Sequence, residues 1–163
     1  RTSVPGFVIL VFYTVNMPPK LLTIADGPCW VLNTGSSVRA GFPSLAEDHG
    51  VQPINLHSLL IPHPQATYMM RVSGRSMEEA GLFDGDYVLV DRAVRPEPGH
   101  IVVGVIDNDM TIKYLRRSAG GVYYLESSDL TFPKLYAPKE GTLQVWGVSR
   151  TAIRPMPGFS IRG

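Results

Sequence analysis

The chain has 163 residues, which is enough for one domain with a real core and too few for two large ones. A net charge of +1, with 18% charged residues, removes the electrostatic case for tight nucleic-acid binding by this chain alone, and for attraction to an acidic membrane surface. The single cysteine, Cys29, cannot make an internal disulfide, so nothing points to an oxidising compartment and the expected location is cytoplasmic.

Gly (16) and Pro (14) are frequent, which favours turns and short strands over long helices. The chain begins at Arg1, with Met17 as an alternative start. The apolar run from Phe7 to Val15 is about half the length of a spanning helix, so it reads as translated upstream sequence or a loosely held arm, and no membrane association is expected. Residues 1–40 carry only the charges of Arg1, Lys20, Asp26 and Arg39, and Pro5, Pro18, Pro19 and Pro28 interrupt any helix. Gly35-Ser36-Ser37 reads as a flexible link. No pair of amphipathic helices is present, which argues against a helix-turn-helix and against sequence-specific DNA binding. Arg39-Ala40-Gly41-Phe42-Pro43-Ser44 ends the arm; taken alone it reads as a plain linker, although its Ala-Gly pair, the two smallest side chains, would also let an extended backbone enter a narrow cleft.

Ser44 to Gly50 is expected as a short helical turn, and Asn55 as the cap of a helix reaching Leu60, with Leu56, Leu59 and Leu60 inward. Pro62 and Pro64 stop it. Thr67 to Val72 is a strand, followed by a turn at Ser76 and a short helix ending at Gly81. Asp84-Gly85-Asp86 is a turn and Tyr87 to Asp91 a strand. His100 to Ile106, the most apolar strand, is placed centrally. Asp107-Asn108-Asp109 turns into the partner strand Met110 to Arg117. Gly120-Gly121 turns again into Val122 to Glu126. Residues 127–140 read as an irregular crossover, and Leu143 to Ile153 as one or two last strands with Trp146 and Val148 on one face. The expected class is mostly β: a compact domain of short, largely antiparallel strands with short helices and a flexible N-terminal arm.

Ser76, at the strand-to-helix junction, has two readings. Followed by Glu79 it forms a capping box and needs no chemistry. As a nucleophile it needs a base. The histidines His49, His57, His63 and His100 are scattered with no metal-ligand spacing, so no metal or cofactor is expected, and nothing in the setting of His100 marks it as the base. A lysine kept neutral by burial is another base, and alternation puts Lys113 mid-strand on the face of Thr111 and Leu115.

Ser73-Gly74-Arg75-Ser76-Met77, then Asp84 to Asp91, then Gly99 to Val103, then Thr111-Ile112-Lys113-Tyr114-Leu115 follow one another as in the LexA/UmuD self-cleaving peptidase family, which the chain resembles. Val38 to Ser44 and Leu59 to Tyr68 resemble its UmuD-like branch, the accessory subunits of DNA polymerase V and their plasmid-borne relatives. The likeness spans residues from about 38 to 150. It implies a LexA/signal-peptidase-like β fold and a Ser76–Lys113 dyad. Ser76 attacks the Ala40–Gly41 bond, and the turn Gly74, Arg75, Ser76 and Met77 supplies backbone N–H groups for the oxyanion. The arm 1–40 is then removed from the domain 41–163. The implied role is SOS mutagenesis. A RecA–single-stranded-DNA filament stimulates the cut, and the trimmed homodimer joins a UmuC-like Y-family polymerase for translesion synthesis, with the replicative sliding clamp as a further candidate partner. Arg75 departs from the acidic residue common in that branch, and its charge is expected to favour neutral Lys113. His100 also departs, and is expected only to tune a turn.

Three readings compete. A LexA-like repressor lacks its DNA-reading helices here. A signal-peptidase-like membrane protease differs at Glu79 and has too short an anchor in Phe7–Val15. A binding module on the same fold would use Ser76 as a cap alone.

Overall fold

The computed structural model describes residues 28–33, 51–106, 109–136 and 143–161. They fall into two units, one within Lys20–Pro64 and one within Gln65–Gly163. In the first, β1 (Trp30–Asn33) pairs antiparallel with β2 (Gln52–Asn55), which runs into a five-residue helix, α1 (Leu56–Leu60). Asn55 caps α1, its side chain accepting from the N–H of His57. The same oxygen takes the N–H of Cys29, and Leu56 N–H donates to Cys29 O, so one asparagine ties helix start to strand pair. The expected inward face of α1 is only partly right: Leu56 and Leu60 are half-buried, but Leu59 is 60% exposed. The sequence reading has no counterpart for β1 or β2. Its helical turn at Ser44–Gly50 lies outside the described residues.

The second unit is a seven-stranded sheet. In chain order its strands are β3 (Thr67–Arg71), β4 (Tyr87–Asp91), β5 (Ile101–Ile106), β6 (Asp109–Arg117), β7 (Tyr123–Glu126), β8 (Leu135–Tyr136) and β9 (Gln144–Ile153). Their spatial order is β3-β4-β9-β5-β6-β7-β8, and every neighbouring pair is antiparallel. The mostly β, largely antiparallel class is as expected. β5 is the middle strand. It is apolar without alternation because both its faces are covered: Val102 belongs to a cluster with Leu115, Leu125, Leu143, Val145 and Val148, while Val103 packs with Val72, Met77, Val88, Val90 and Trp146. Gly104 sits where a Cβ would collide with Leu125 Cδ1, so close packing requires the glycine.

Two expectations for the C-terminal half need correction. Residues 127–140 are not wholly irregular: β8 adds a short edge to β7, Tyr136 opposite Tyr124 and Leu135 opposite Leu125. Trp146 and Val148 do not share a face. The β5–β9 register jumps from Val103↔Gly147 to Gly104↔Val145, leaving Trp146 as the extra residue of a bulge. The bulge reverses the alternation, so Trp146 enters one cluster while Val145 and Val148 enter the other. The hairpin residues 107–108 lie outside the described residues, though Ile106 pairs with Asp109.

Candidate active site

β3 ends at Arg71, and the chain then makes a closed loop before β4 begins. Val72 N–H donates to Asp86 O at 2.7 Å and Gly85 N–H returns to Val72 O at 2.9 Å, so the loop neck is shut by a pair of backbone bonds. Inside it Gly74 adopts φ +92°, a conformation costly for any residue with a Cβ, and its N–H is taken by Asp84 Oδ1 at 2.8 Å. Met77 is the anchor: it is 2% exposed and packs with Val72 and Leu82. Between the glycine and the anchor stands Ser76.

Glu78–Ala80 forms one 3-10 turn, ended by Gly81 in the left-handed region. Its N-cap is Met77, with no side-chain capping bond. The capping box from Ser76 to Glu79 is therefore not formed. The physical reason is competition for the hydroxyl: Ser76 Oγ is hydrogen-bonded to Lys113 Nζ at 2.6 Å. The Ser76 carbonyl is also held. It accepts from Ser128 N–H at 3.1 Å, from Ser128 Oγ at 3.2 Å and from Asp129 N–H at 3.4 Å.

Lys113 comes from the middle of β6, directly opposite Val102. Val102 and Leu115 are fully buried, and antiparallel partners share a face, so the lysine stem rises from a dry part of the sheet. Lys113 itself is 8% exposed. Burial disfavours the ammonium and pulls its pKa below the ordinary lysine value. No charged group contributes to that lowering. Arg75 does not serve as the neighbouring cation expected from the sequence. Its side chain is 80% exposed and its guanidinium is paired with Glu78 at 2.8 Å. A hydroxyl at 2.6 Å from an amine predisposed to be neutral can lose its proton to that amine; this is the arrangement a nucleophile and its base require.

The pair lines a groove of about 260 Å³ together with Met70, Val72, Val88, Val103 and Ile112. The groove is partly open to solvent, and its mixed lining of apolar and polar side chains from the segments 70–73 and 110–113 suits a short stretch of peptide. Of the turn proposed for the oxyanion, the Gly74 N–H is engaged by Asp84, whereas among the described residues no acceptor takes the N–H of Ser76. Ala40 and Gly41 lie outside the described residues. His100 accepts the N–H of Glu97 on Nδ1 at 3.1 Å, and its own N–H donates to Glu97 O, so it belongs to the turn before β5. Among the described residues no group of three or more His, Cys, Asp or Glu could hold a metal ion, and no helix is long and apolar enough to cross a membrane. The roles of Asp84, Ser128 and Asp129 were missed from sequence. The signals were the Asp84-Gly85-Asp86 turn and Ser127-Ser128-Asp129, a run of turn-forming side chains next to a strand end.

Comparison with known proteins bears on most of this unit. The family model described as Peptidase S24-like matches residues 31–150. Protein MucA of Salmonella typhimurium is 40% identical over 112 residues, 68% of this chain and 75% of that protein. Protein ImpA of Salmonella typhimurium is 47% identical over 77 residues, 47% of this chain and 53% of that protein. LexA repressor 1 of Pseudomonas putida is 38% identical over 117 residues, 72% of this chain and 57% of that protein. The matched span contains β3 to β7, the closed loop with Ser76 and the strand with Lys113, and the chain belongs to the peptidase S24-like family.

Proposed function

We propose that this protein is a UmuD-type SOS mutagenesis factor that cuts its own Ala40–Gly41 bond with a Ser76–Lys113 dyad. The observation that carries the reading is the 2.6 Å bond between Lys113 Nζ and Ser76 Oγ, with the lysine 8% exposed. Ser76 Oγ attacks the Ala40 carbonyl carbon while neutral Lys113 takes the hydroxyl proton. Backbone N–H groups at the turn, that of Ser76 among them, stabilise the oxyanion. Lys113 then gives the proton to the departing Gly41 amine, and water releases the acyl group from Ser76. The substrate is tethered, so effective concentration does the work of affinity.

The likeness to MucA and ImpA supports placing the trimmed product, residues 41–163, in a homodimer that joins a UmuC-like polymerase, with cleavage stimulated by a RecA–single-stranded-DNA filament and a sliding clamp as a further contact. A cytoplasmic site of action belongs to the same proposal. The likeness to LexA repressor 1 supports a second reading, a transcriptional repressor, which a gel shift on promoter DNA separates from the first.

The decisive experiment incubates purified protein at mildly alkaline pH, or with RecA, an ATP analogue and single-stranded DNA, and reads products by intact mass. Cleavage after Ala40 is expected, lost by at least about a thousandfold in both Ser76→Ala and Lys113→Ala. Cleavage that survives either substitution rules the dyad out.

A further inference from the structure

Ser127 is 2% exposed, and among the described residues its Oγ has no hydrogen-bond partner. A buried hydroxyl left unmatched is destabilising, so its presence calls for a reason. Its position supplies one. In the β6–β7 ladder Leu115 pairs with Leu125 and Tyr114 with Glu126. One step further along the same two chains stand Lys113 and Ser127, and both lie on the buried Leu115 side by strand alternation. The neighbouring residue, Ser128, bonds the Ser76 carbonyl through its N–H and its Oγ. Ser127 is thus placed beside the pair from two directions, once through the lysine strand and once through the serine loop.

We infer that Ser127 is a positioning residue whose hydroxyl receives an N–H of Lys113 once Ser76 has left that amine for the substrate carbonyl. This rests on the dyad reading above. In the resting site the amine has Ser76 Oγ as its partner. As the reaction proceeds the Oγ–H bond breaks, an Nζ–H bond forms and Oγ bonds to carbon. The lysine becomes an ammonium with three donors in a dry site, and the ester oxygen it faced is a poor acceptor. Ser127 Oγ is a buried acceptor one ladder step from Glu126 on the Lys113 side, unmatched in the resting state and, in this inference, matched when the charge appears. Its interaction is therefore strongest along the reaction path, which is where an interaction lowers a barrier.

The test uses the full chain. Self-cleavage is followed by intact mass from about pH 6 to about pH 11 for wild type, Ser127→Ala and Ser127→Thr. Ser127→Ala is expected to fold with equal or higher thermal stability, because it removes an unmatched polar atom, and to lower the plateau rate about tenfold. Ser127→Thr, which keeps the hydroxyl, is expected to restore most of the rate. In a Ser76→Ala background, which does not cleave, the Lys113 titration is followed by ¹³Cε NMR, and adding Ser127→Ala is expected to move its midpoint to lower pH. An unchanged plateau in Ser127→Ala, or an unchanged Lys113 midpoint, overturns the inference while leaving the dyad intact. If wild type itself does not cleave at Ala40–Gly41, the self-cleavage reading fails, and the Lys113 midpoint alone decides whether Ser127 acts on the amine.

Discussion

Lys113 and Ser76 meet at 2.6 Å although they are 37 residues apart and belong to elements that are not neighbours in the sheet. The contact exists because β6 places the lysine opposite Val102 on a buried face, and because the loop after β3 is closed at its neck and anchored by Met77. Neither element alone would hold the pair at this distance.

The first prediction concerns pH. Burial lowers the Lys113 pKa, so the neutral base accumulates at a pH below that of a solvent-exposed lysine. The self-cleavage rate is expected to rise with pH through that lowered value and then level off, before ordinary lysines titrate. A pH–rate profile checks this; a rate that climbs only above about pH 10.4, the ordinary lysine value, contradicts it.

The same burial carries a stability consequence. Between its lowered folded pKa and its unfolded value Lys113 binds more protons in the unfolded chain, so stability rises with pH across that window. Below it the site is penalised. Lys113→Met keeps the stem, removes the penalty and is expected to raise the melting temperature by a few degrees near neutral pH, with loss of cleavage. Thermal melts of the two proteins provide the check.

Arg154 holds both oxygens of Asp86, at 2.7 and 2.6 Å, and also donates to Gly81 O at 2.8 Å. Asp86 is 2% exposed and its carbonyl closes the neck of the Ser76 loop. Arg154→Ala leaves that carboxylate with the Phe83 N–H alone, and is expected to lower the urea midpoint. The hydrogen bond from Arg154 holds the Asp86 carboxyl below its usual range. The stability it adds is therefore complete above the unfolded carboxylate pKa and is lost as pH falls through the folded one. Acid titration of the two proteins is expected to converge at low pH.

Gly104→Ala drives a methyl group against Leu125, which is fully buried. A loss of about 1–3 kcal/mol is expected, partly recovered in Gly104→Ala with Leu125→Val, and denaturant midpoints measure both.

Much of this fold can be read from residue order where strands are regular. β3 to β7 announce themselves through β-branched runs and Gly, Pro or Asp turns. What escapes is what tertiary contact decides. The bulge at Trp146 cannot be seen in an unbroken apolar run, and β8 is two residues long. The local pattern at Ser76 favours a capped helix, and only the distant Lys113 takes the hydroxyl away. Resemblance, not periodicity, pairs those two residues before any geometry is known. Arg75 misleads for a similar reason: its charge reads as a neighbour of the base, yet Glu78, three residues on, holds it in solvent.

The three hydrogen bonds on the Ser76 carbonyl have a consequence for how activity fails. They rivet the Ser76 peptide to the chain leaving β7, so Ser76 shares its cooperative unit with the sheet and not with a separately fraying loop. Heating or denaturant is then expected to extinguish cleavage and strand order in one transition. The amides of Ser128 and Asp129 are expected to exchange with solvent as slowly as those of the sheet interior.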